Sequence, residues 1–340
     1  MLKAKLGIAP IAWWNDDLAE LSDDVSLEEC LRQASVAGFT GMETGRRFPM
    51  NMTELGPVLK RYGISVRRLV FWAASRQRHH RIAEQMEFFK AAAAPCIVYG
   101  ETARSIQGDR SKPLSTKPKL SADEIKTDGR KMTAFAEWCA DQGMPISYHH
   151  HMAAVIETEP ELDLLMKHSG SALPLLFDAG HMAFAGGDVL RVIDKHHARI
   201  SHVHTKDVRM EVINGLDRSK DSFLDAVVKG AFTVPGDGSL DFETIVKRLA
   251  ALRLSGLVCG RGGTGSCKES PFENGGDRAQ GAAARADDRR LLGRRLTLSS
   301  RGISPRERFG LQKRPCQTKS GPTHHGIRLA RQEFQARIGP

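Results

Sequence analysis

The segment from Met144 to Met152 sets three histidines side by side, which is the strongest chemical signal in the chain. It reads MPISYHHHM, with apolar residues at alternate positions before His149, His150 and His151. In a β-strand successive side chains point to opposite faces, so His149 and His151 share one face and His150 takes the other. Histidine is the commonest neutral metal ligand, and it titrates near neutral pH. The segment therefore indicates a metal or proton-transfer site, with a solvated polar turn as the alternative.

Two other apolar segments end in residues of the same kind. Residues 173–178 end in Asp178, with His181 close behind, and residues 200–204 lead into HVHTKD, from His202 to Asp207. If these segments are parallel strands of a barrel, their carboxyl ends meet at one face. A mixed set of carboxylates and imidazoles suits Mn, Co, Fe or Zn rather than Ca, which prefers oxygen ligands. Together the segments predict one metal site, although a core or surface role is commoner for any single histidine.

Further polar residues are expected at the same face. Glu43 ends the second predicted strand, Glu101 follows the fourth, and Asp237 lies in the turn at residues 234–238. A Pro-Gly turn can bring backbone close to a ligand. We interpret these residues as substrate-binding or supporting groups. The alternatives are that the glutamates bond loop amides and that the turn only redirects the chain.

Short apolar segments alternate with segments of helical spacing, and this alternation predicts the fold. The predicted strands are residues 6–11, 41–44, 65–72, 96–100, 146–150, 173–178, 200–204 and 256–258, and the predicted helices are residues 26–37, 52–61, 80–93, 121–142, 159–168, 188–197 and 241–252. Because parallel strands need crossovers, strict βα alternation predicts an α/β protein with a (β/α)8 TIM barrel. The long connections 102–120 and 207–240 then lie at the carboxyl face, where barrel enzymes carry their active sites. The first is interpreted as a lid, or else as a solvated loop.

The formal net charge of +10 comes entirely from the last quarter of the chain. Residues 259–340 hold 17 Lys and Arg against 7 Asp and Glu, whereas residues 1–258 hold 33 of each sign. The six cysteines include no CxxC pair, and no signal-peptide pattern opens the chain, so a reducing cytoplasm is expected. No apolar run approaches the about 20 residues that span a bilayer, so membrane insertion is not expected.

Residues 259–340 break the alternating pattern. The segment is rich in Gly and Arg, as in CGRGGTGSC and RRLLGRRL, and shows neither helical nor strand periodicity. Its composition predicts a disordered or poorly folding basic tail. Nucleic-acid binding is not expected, because no aromatic interleaving or binding module accompanies the charge. The predicted domains are therefore a barrel at residues 1–258 and a tail at residues 259–340.

Six motifs make the barrel region recognisable. They are GIAPIAWWNDD from Gly7, ETARSIQGDRSKPLS from Glu101, YHHHM from Tyr148, FDAGHMAFAGGD from Phe177, HVHTKDVR from His202 and SFLDAVVKGAFTVPGDGSLDF from Ser222. Together they resemble the inosose dehydratase family, which belongs to the xylose isomerase-like barrel superfamily. The resemblance runs from about residue 6 to residue 258.

The resemblance implies a metal-dependent enzyme of myo-inositol catabolism that dehydrates 2-keto-myo-inositol to a cyclic dione. It implies His149, Asp178 and His204 as metal ligands, Mn or Co as the ion, and glutathione as a further cofactor. His151 or His181 would carry a proton and Lys206 would stabilise an oxyanion, with Glu101 as a further catalytic group. The substrate-binding residues would be Glu43, His150, Asp207 and Asp237. A homo-oligomer is expected, and a small cyclic keto-polyol is the expected partner.

The chain departs from the family at its eighth strand. The family's strand ends in a glutamate that completes the metal site, but this chain continues from Val258 with CGRGG and has no carboxylate before Glu269. The resemblance stops, the charge excess begins and the composition changes at one point. We hypothesise that residues 259–340 arise from a shifted reading frame, which would leave the last βα unit incomplete and the activity of this chain reduced.

Two other functions remain open from the residues. A sugar isomerase or epimerase of the same superfamily needs the same metal and enolate chemistry. An inactive barrel with a basic, nucleic-acid-binding tail is the non-enzymatic alternative, and its binding would weaken steeply with salt.

Overall fold

The computed structural model describes residues 5–18, 25–73, 86–252 and 257–260, and within these ranges the chain forms a closed barrel of eight parallel strands. The barrel strands are β1 (Lys5–Ile8), β2 (Gly41–Glu43), β3 (Ser65–Ala73), β4 (Ile97–Glu101), β5 (Ile146–His149), β6 (Leu175–Asp178), β7 (Ile200–Thr205) and β10 (Leu257–Gly260). They close in the order β1-β10-β7-β6-β5-β4-β3-β2. The predicted (β/α)8 barrel is therefore confirmed.

The strand ends differ by a few residues from the prediction. The first strand stops at Ile8, because Pro10 has no backbone N–H to donate and a short 3-10 turn, Pro10–Ala12, begins there. The last strand continues to Gly260 instead of ending at Val258, and its Cys259 lies beside His204 of β7. The first two residues of the predicted tail thus belong to the barrel sheet.

Helices follow the barrel strands, and several of them begin at a residue whose side chain accepts an amide of the first turn. They are α1 (Leu27–Val36), α2 (Met52–Tyr62), α3 (Ala122–Asp141), α4 (Glu159–His168), α5 (Ala179–Phe184), α6 (Val189–His196), α7 (Met210–Asn214), α8 (Phe223–Val228) and α9 (Phe242–Ala251). Ser121 and Glu124 form a capping box at α3, and Asp241 accepts the Thr244 amide at α9. Of the predicted helix 80–93, residues 86–91 are helical and residues 80–85 lie outside the described ranges.

The strands are apolar because both of their faces are covered. Every residue of β4, β5 and β6 is buried, as expected for parallel strands between a barrel interior and a layer of helices. On the outside, α3 and α4 approach closely at Gly129. A Cβ atom there would lie 2.8 Å from the carbonyl oxygen of His168, so no larger residue fits without moving a helix.

The long connection at residues 207–240 contains secondary structure of its own. A two-stranded antiparallel sheet forms from β8 (Asp207–Val208) and β9 (Phe232–Thr233), and α7 and α8 lie between these strands. Asp207 and Val208 pair with Thr233 and Phe232, respectively. This small sheet carries the chain across the carboxyl face of the barrel.

The two long connections contact one another over that face. The Leu114 amide donates to the Asp221 carbonyl at 2.9 Å, and the Ser115 amide donates to the Arg218 carbonyl at 2.8 Å. Arg110 also bonds Asp225 at 2.8 Å through its Nε. The predicted lid is therefore joined to the loop that follows β7.

The structure bears on two further predictions, which concern membrane insertion and the basic tail, only within the described residues. Among the described helices, none combines the length and the apolar composition needed to cross a membrane. The predicted tail, apart from Cys259 and Gly260, lies outside the described residues.

Candidate active site

The carboxyl ends of β5, β6 and β7 bring the predicted metal ligands together. One ligand atom from each of His149, Asp178 and His204 lies within 4.8 Å of the others, and all three residues are buried. The rings of His149 and His204 lie 4.9 Å apart between centroids. Three adjacent strands thus bring residues that are distant in the sequence into one compact group.

The contacts of His204 show what this group can bind. Its Nε2 lies 2.9 Å from Oε1 of Glu43, and a carboxylate accepts, so the ring proton sits on Nε2. Its Nδ1 therefore presents a lone pair, 3.4 Å from Oδ2 of Asp178. Among the described residues, neither Nδ1 of His204 nor Oδ2 of Asp178 has a hydrogen-bond partner. An imidazole nitrogen and a carboxylate oxygen that face each other in a buried group, with His149 beside them, are ligand types that fit a divalent metal ion.

The protonation states also suit a cation. Burial, together with the neighbouring His204 and His151, lowers the pKa of His149 well below its ordinary value, so this ring is neutral at pH 7. Burial acts to raise the pKa of Asp178, but Lys206 and His204 outweigh it and hold that pKa well below its usual range. A neutral imidazole and an ionised carboxylate are the forms that bind metals.

The predicted proton carriers lie beside this group. The rings of His151 and His181 are 3.9 Å apart between centroids. The Lys206 Nζ lies 2.8 Å from Nε2 of His181 and 3.6 Å from Oδ2 of Asp178. Phe232 covers the ammonium group at 4.8 Å, which makes a cation–π contact. The structure therefore brings His151, His181 and Lys206 together next to the predicted ligands.

Glu43 and His150, which are predicted to bind substrate, bond protein groups in this region. Glu43 is fully buried, and its Oε1 bonds both His202, at 3.0 Å, and His204. His150 points away from His149, and its Nε2 accepts the backbone amide of Asp178 at 3.2 Å. Burial lowers the pKa of His150 to about 4, which keeps this acceptor nitrogen unprotonated. Both side chains hold the site in shape.

Glu101 is separated from the histidines by its own ion pair. Its Oε2 accepts from Arg104 at 2.8 Å, and Arg104 also bonds Asp128 at 2.5 Å. Within the described ranges, no contact joins Glu101 to the histidine group. A carboxylate held by a guanidinium group is a poor proton carrier, so the arrangement does not favour the predicted catalytic role.

The two aspartates predicted to bind substrate have other partners. Asp207 is buried, and its two carboxylate oxygens accept the amides of Val208, Gly236, Gly238 and Leu240 at 2.7 to 3.1 Å. A Cβ atom on Gly238 would lie 2.4 Å from Oδ1 of Asp207, so the predicted close backbone approach is made to this carboxylate instead of a ligand. Asp237 is largely exposed and bonds Arg209 and Thr233. In this structure both carboxylates bond the loop, and their role in binding substrate stays a prediction.

Three residues of the site were not predicted. His202 and Cys259 form a second buried group with Glu43 and His204, and its ligand atoms also lie within 4.8 Å of one another. Glu157 accepts the Ala153 amide at 2.7 Å, beneath the loop that carries His151. The spacing of His202, two residues before His204, was a signal for the first, because alternate residues share a strand face. Nothing local indicates the other two.

Comparisons with known proteins agree with the barrel fold. A family model described as "Xylose isomerase-like TIM barrel" matches residues 31–261. The rhizopine catabolism protein MocC of Rhizobium meliloti is 38% identical over 257 residues, which cover 74% of this chain and 78% of that protein. An inosose dehydratase of Geobacillus thermodenitrificans is 38% identical over 282 residues, covering 80% of this chain and 93% of the relative.

A solved structure gives the same fold at low sequence identity. The IOLI protein, crystallised with a binding zinc atom, superposes with a TM-score of 0.55 and 14% identity. The match covers 77% of this chain and 89% of that protein. At this identity the likeness bears on the fold alone.

Proposed function

Because the chain belongs to the xylose isomerase-like TIM barrel family and is similar to inosose dehydratases over most of its length, we propose that it removes water from 2-keto-myo-inositol in a metal-dependent reaction. The relationship to several curated dehydratases identifies the chain as an enzyme of the hydro-lyase class. The proposed product is the cyclic dione or its enol form, and the proposed pathway is myo-inositol catabolism in the cytoplasm.

One observation carries the metal dependence. The lone pair on Nδ1 of His204 faces Oδ2 of Asp178 across 3.4 Å, beside the neutral ring of His149. We propose these three residues as ligands of Mn²⁺ or Co²⁺. An ion bound there supplies Lewis acidity, which favours loss of a proton next to a ketone by several kcal/mol in transition-state charge stabilisation.

The contacts of the two histidines favour His151 over His181 as the base. The Nδ1 of His151 lies 2.8 Å from the carbonyl oxygen of Met152. A carbonyl oxygen only accepts, so Nδ1 carries the proton and Nε2 is the basic nitrogen of the neutral ring. The Nε2 of His181 instead accepts from Lys206. Protonating it would break that hydrogen bond and add a second positive charge beside the ammonium group.

Lys206 is placed to stabilise negative charge on the substrate oxygen. Its ammonium group is buried against Phe232 and contacts Asp178 and His181. A charge held in a site that excludes water stabilises a developing oxyanion more than the same charge in solvent. The proton taken by His151 then returns to the β-hydroxyl, which leaves as water. Such proton transfer contributes typically about 10² to 10⁴ in rate.

The test is an assay on the purified full-length chain. The absorbance of the dione measures water loss from 2-keto-myo-inositol. We expect no activity after treatment with a chelator, and recovery of activity on adding Mn²⁺ or Co²⁺. Addition of glutathione tests the further cofactor that the family resemblance implies. Ketose isomerisation without water loss, or full activity in excess chelator, would contradict the proposal.

A further inference from the structure

The loop that carries His151 is held by contacts away from the reacting groups. β5 ends at His149, so His151 is positioned by residues 151–158 and not by the barrel sheet. The His151 amide donates to the Ile156 carbonyl at 3.2 Å, and its own carbonyl accepts from Ala154 at 3.3 Å. The position of this ring beside His181 therefore depends on a short turn.

Ala153 is the central residue of this turn and has an unusual backbone. Its φ is +59°, the left-handed region that a residue with a Cβ adopts at a cost of about 1 kcal/mol or more. Its amide donates to Oε2 of Glu157 at 2.7 Å, and its carbonyl accepts from Ile106 at 2.9 Å. A carboxylate on one side and the long 102–120 connection on the other thus hold Ala153 in place.

Glu157 itself is in a costly position. The residue is 7% exposed, and burial raises the pKa of its carboxyl group. Its own amide donates to Oε2 of Glu161, which lies in the first turn of α4. Burying a carboxylate costs free energy unless hydrogen bonds or an ion pair compensate for the lost solvation. The Glu157 carboxylate accepts the amide of Ala153 in the turn. This hydrogen bond offsets part of the cost of burying the carboxylate.

We propose that Glu157 is a positioning residue for the dehydration reaction: it holds Ala153 in the left-handed conformation and thereby fixes the His151 ring against His181. This inference rests on the proposed function. Glu157 touches neither substrate nor metal in this scheme. Its effect reaches the chemistry only through the position of His151.

The first test compares steady-state kinetics of four variants of the full chain. Glu157→Ala is expected to lower kcat about 10- to 100-fold with KM changed less than about 3-fold, because misplacing a catalytic group by a fraction of its hydrogen-bond length costs rate more than binding. Glu157→Gln keeps an acceptor oxygen and should recover kcat to within about 3-fold. Adding Ala153→Gly to Glu157→Ala should recover part of kcat, since glycine adopts positive φ freely. Glu159→Gln is the matched control, because that carboxylate accepts hydrogen bonds from Arg191 and from the backbone amide of Asp188 instead.

The second test reads the His151 ring without any turnover. Its ring C–H signals are assigned by their loss in His151→Gln and should be shifted by the neighbouring rings of His181 and Phe223. In Glu157→Ala these signals should move toward random-coil positions, and in Glu157→Gln and Glu159→Gln they should stay. Unmoved signals in Glu157→Ala, or equal kcat losses in the Ala and Gln variants, would overturn the proposal. Absent dehydratase activity in the parent chain refutes the proposed function alone, because the ring signals still report the positioning.

Discussion

The Nδ1 atom of His204 lies 3.4 Å from Oδ2 of Asp178, with no hydrogen-bond partner for either atom in the described part of the chain. Glu43 sets this arrangement by accepting the proton on the other ring nitrogen of His204. A hydrogen-bond acceptor on one ring nitrogen of a histidine leaves the other nitrogen available to a metal. The first prediction follows from this pair of atoms.

Asp178→Asn should weaken binding of Mn²⁺ or Co²⁺ at least about 100-fold, since even supporting residues of a metal site are worth 10- to 100-fold. The amide keeps the shape of the side chain and its cap on the His181 amide, so the fold is retained. Titration calorimetry on the chelator-treated chain measures the affinity. Asp237→Asn, an exposed aspartate, is the control and should bind as the parent does. Equal affinities for all three proteins would exclude Asp178 as a ligand.

Lys206→Met should lower kcat by about 10² to 10³, the usual effect of removing one group that stabilises an oxyanion. The substitution preserves the length of the apolar stem and removes only the charge next to His181 and Asp178. Lys220→Met provides the comparison, because that lysine is exposed and bonds only its neighbour Asp217 among the contacts described. A Lys206 variant with unchanged kcat would remove the lysine from the reaction.

Asp207→Ala should reduce the free energy of unfolding by about 2 to 4 kcal/mol, because several backbone amides lose the buried, charged acceptor that they share. The affected amides belong to Gly236, Gly238 and Leu240, which form the turn before α9. Urea unfolding measures the change. The same substitution at the exposed Asp109, whose carboxylate bonds the nearby Ser111, should cost far less. Similar losses at the two positions would show that the turn does not depend on Asp207.

Stability should decline as the pH rises above 9, in part through Cys139. Burial raises the pKa of this thiol from 9.0 to about 12 in the folded chain. Between these values the unfolded thiol loses its proton while the folded one keeps it, so unfolding is favoured by about 1.4 kcal/mol per pH unit. Cys139→Ala should show a shallower decline in denaturant unfolding between pH 9 and 11. Leu165→Ala, a buried residue that does not titrate, should lower stability without changing the slope.

The carboxyl terminus made in the cell can be tested directly. If residues 259–340 arise from a shifted frame, reading codons 255–262 in the neighbouring frames should restore a carboxylate after Val258 and a helical pattern. Mass spectrometry of the protein from its own cells should then lack peptides such as Arg301 to Lys313. Detection of those peptides would make the tail genuine, and Cys259 would then be the residue that the last strand places beside His204.

The barrel could be predicted because its signals are local. Alternating apolar segments locate the eight barrel strands within a few residues, and parallel strands end at one face. The short elements of the connections, such as β8, β9, α7 and α8, were not predicted. The rule for parallel strands placed the polar ends of the fifth, sixth and seventh strands on one face, and the resemblance to the dehydratase family selected His149, Asp178 and His204 among their residues. His151, His181 and Lys206 followed because they lie just beyond those strand ends.

The supporting contacts could not be predicted because they join distant parts of the sequence. Glu43 and His202 are 159 residues apart, and Asp207 bonds amides 29 to 33 residues further along. Carboxylates at strand ends resemble substrate ligands in sequence whether they point at a substrate, a histidine or a backbone amide. Glu101 is an exception, because its partner Arg104 is only three residues away. A positive charge at that spacing could have predicted the ion pair from the sequence.

The hydrogen bonds between residues 114–115 and residues 218–221 have a consequence for how such barrels diversify. Loops at the face of a barrel are often treated as modules that can be exchanged one at a time to alter specificity. Here the loop after β4 and the segment after β7 satisfy each other's backbone groups, so replacing either alone leaves amides and carbonyls of the other unpaired. Recombination or engineering that changes the substrate range of this scaffold therefore has to transfer both segments as one unit.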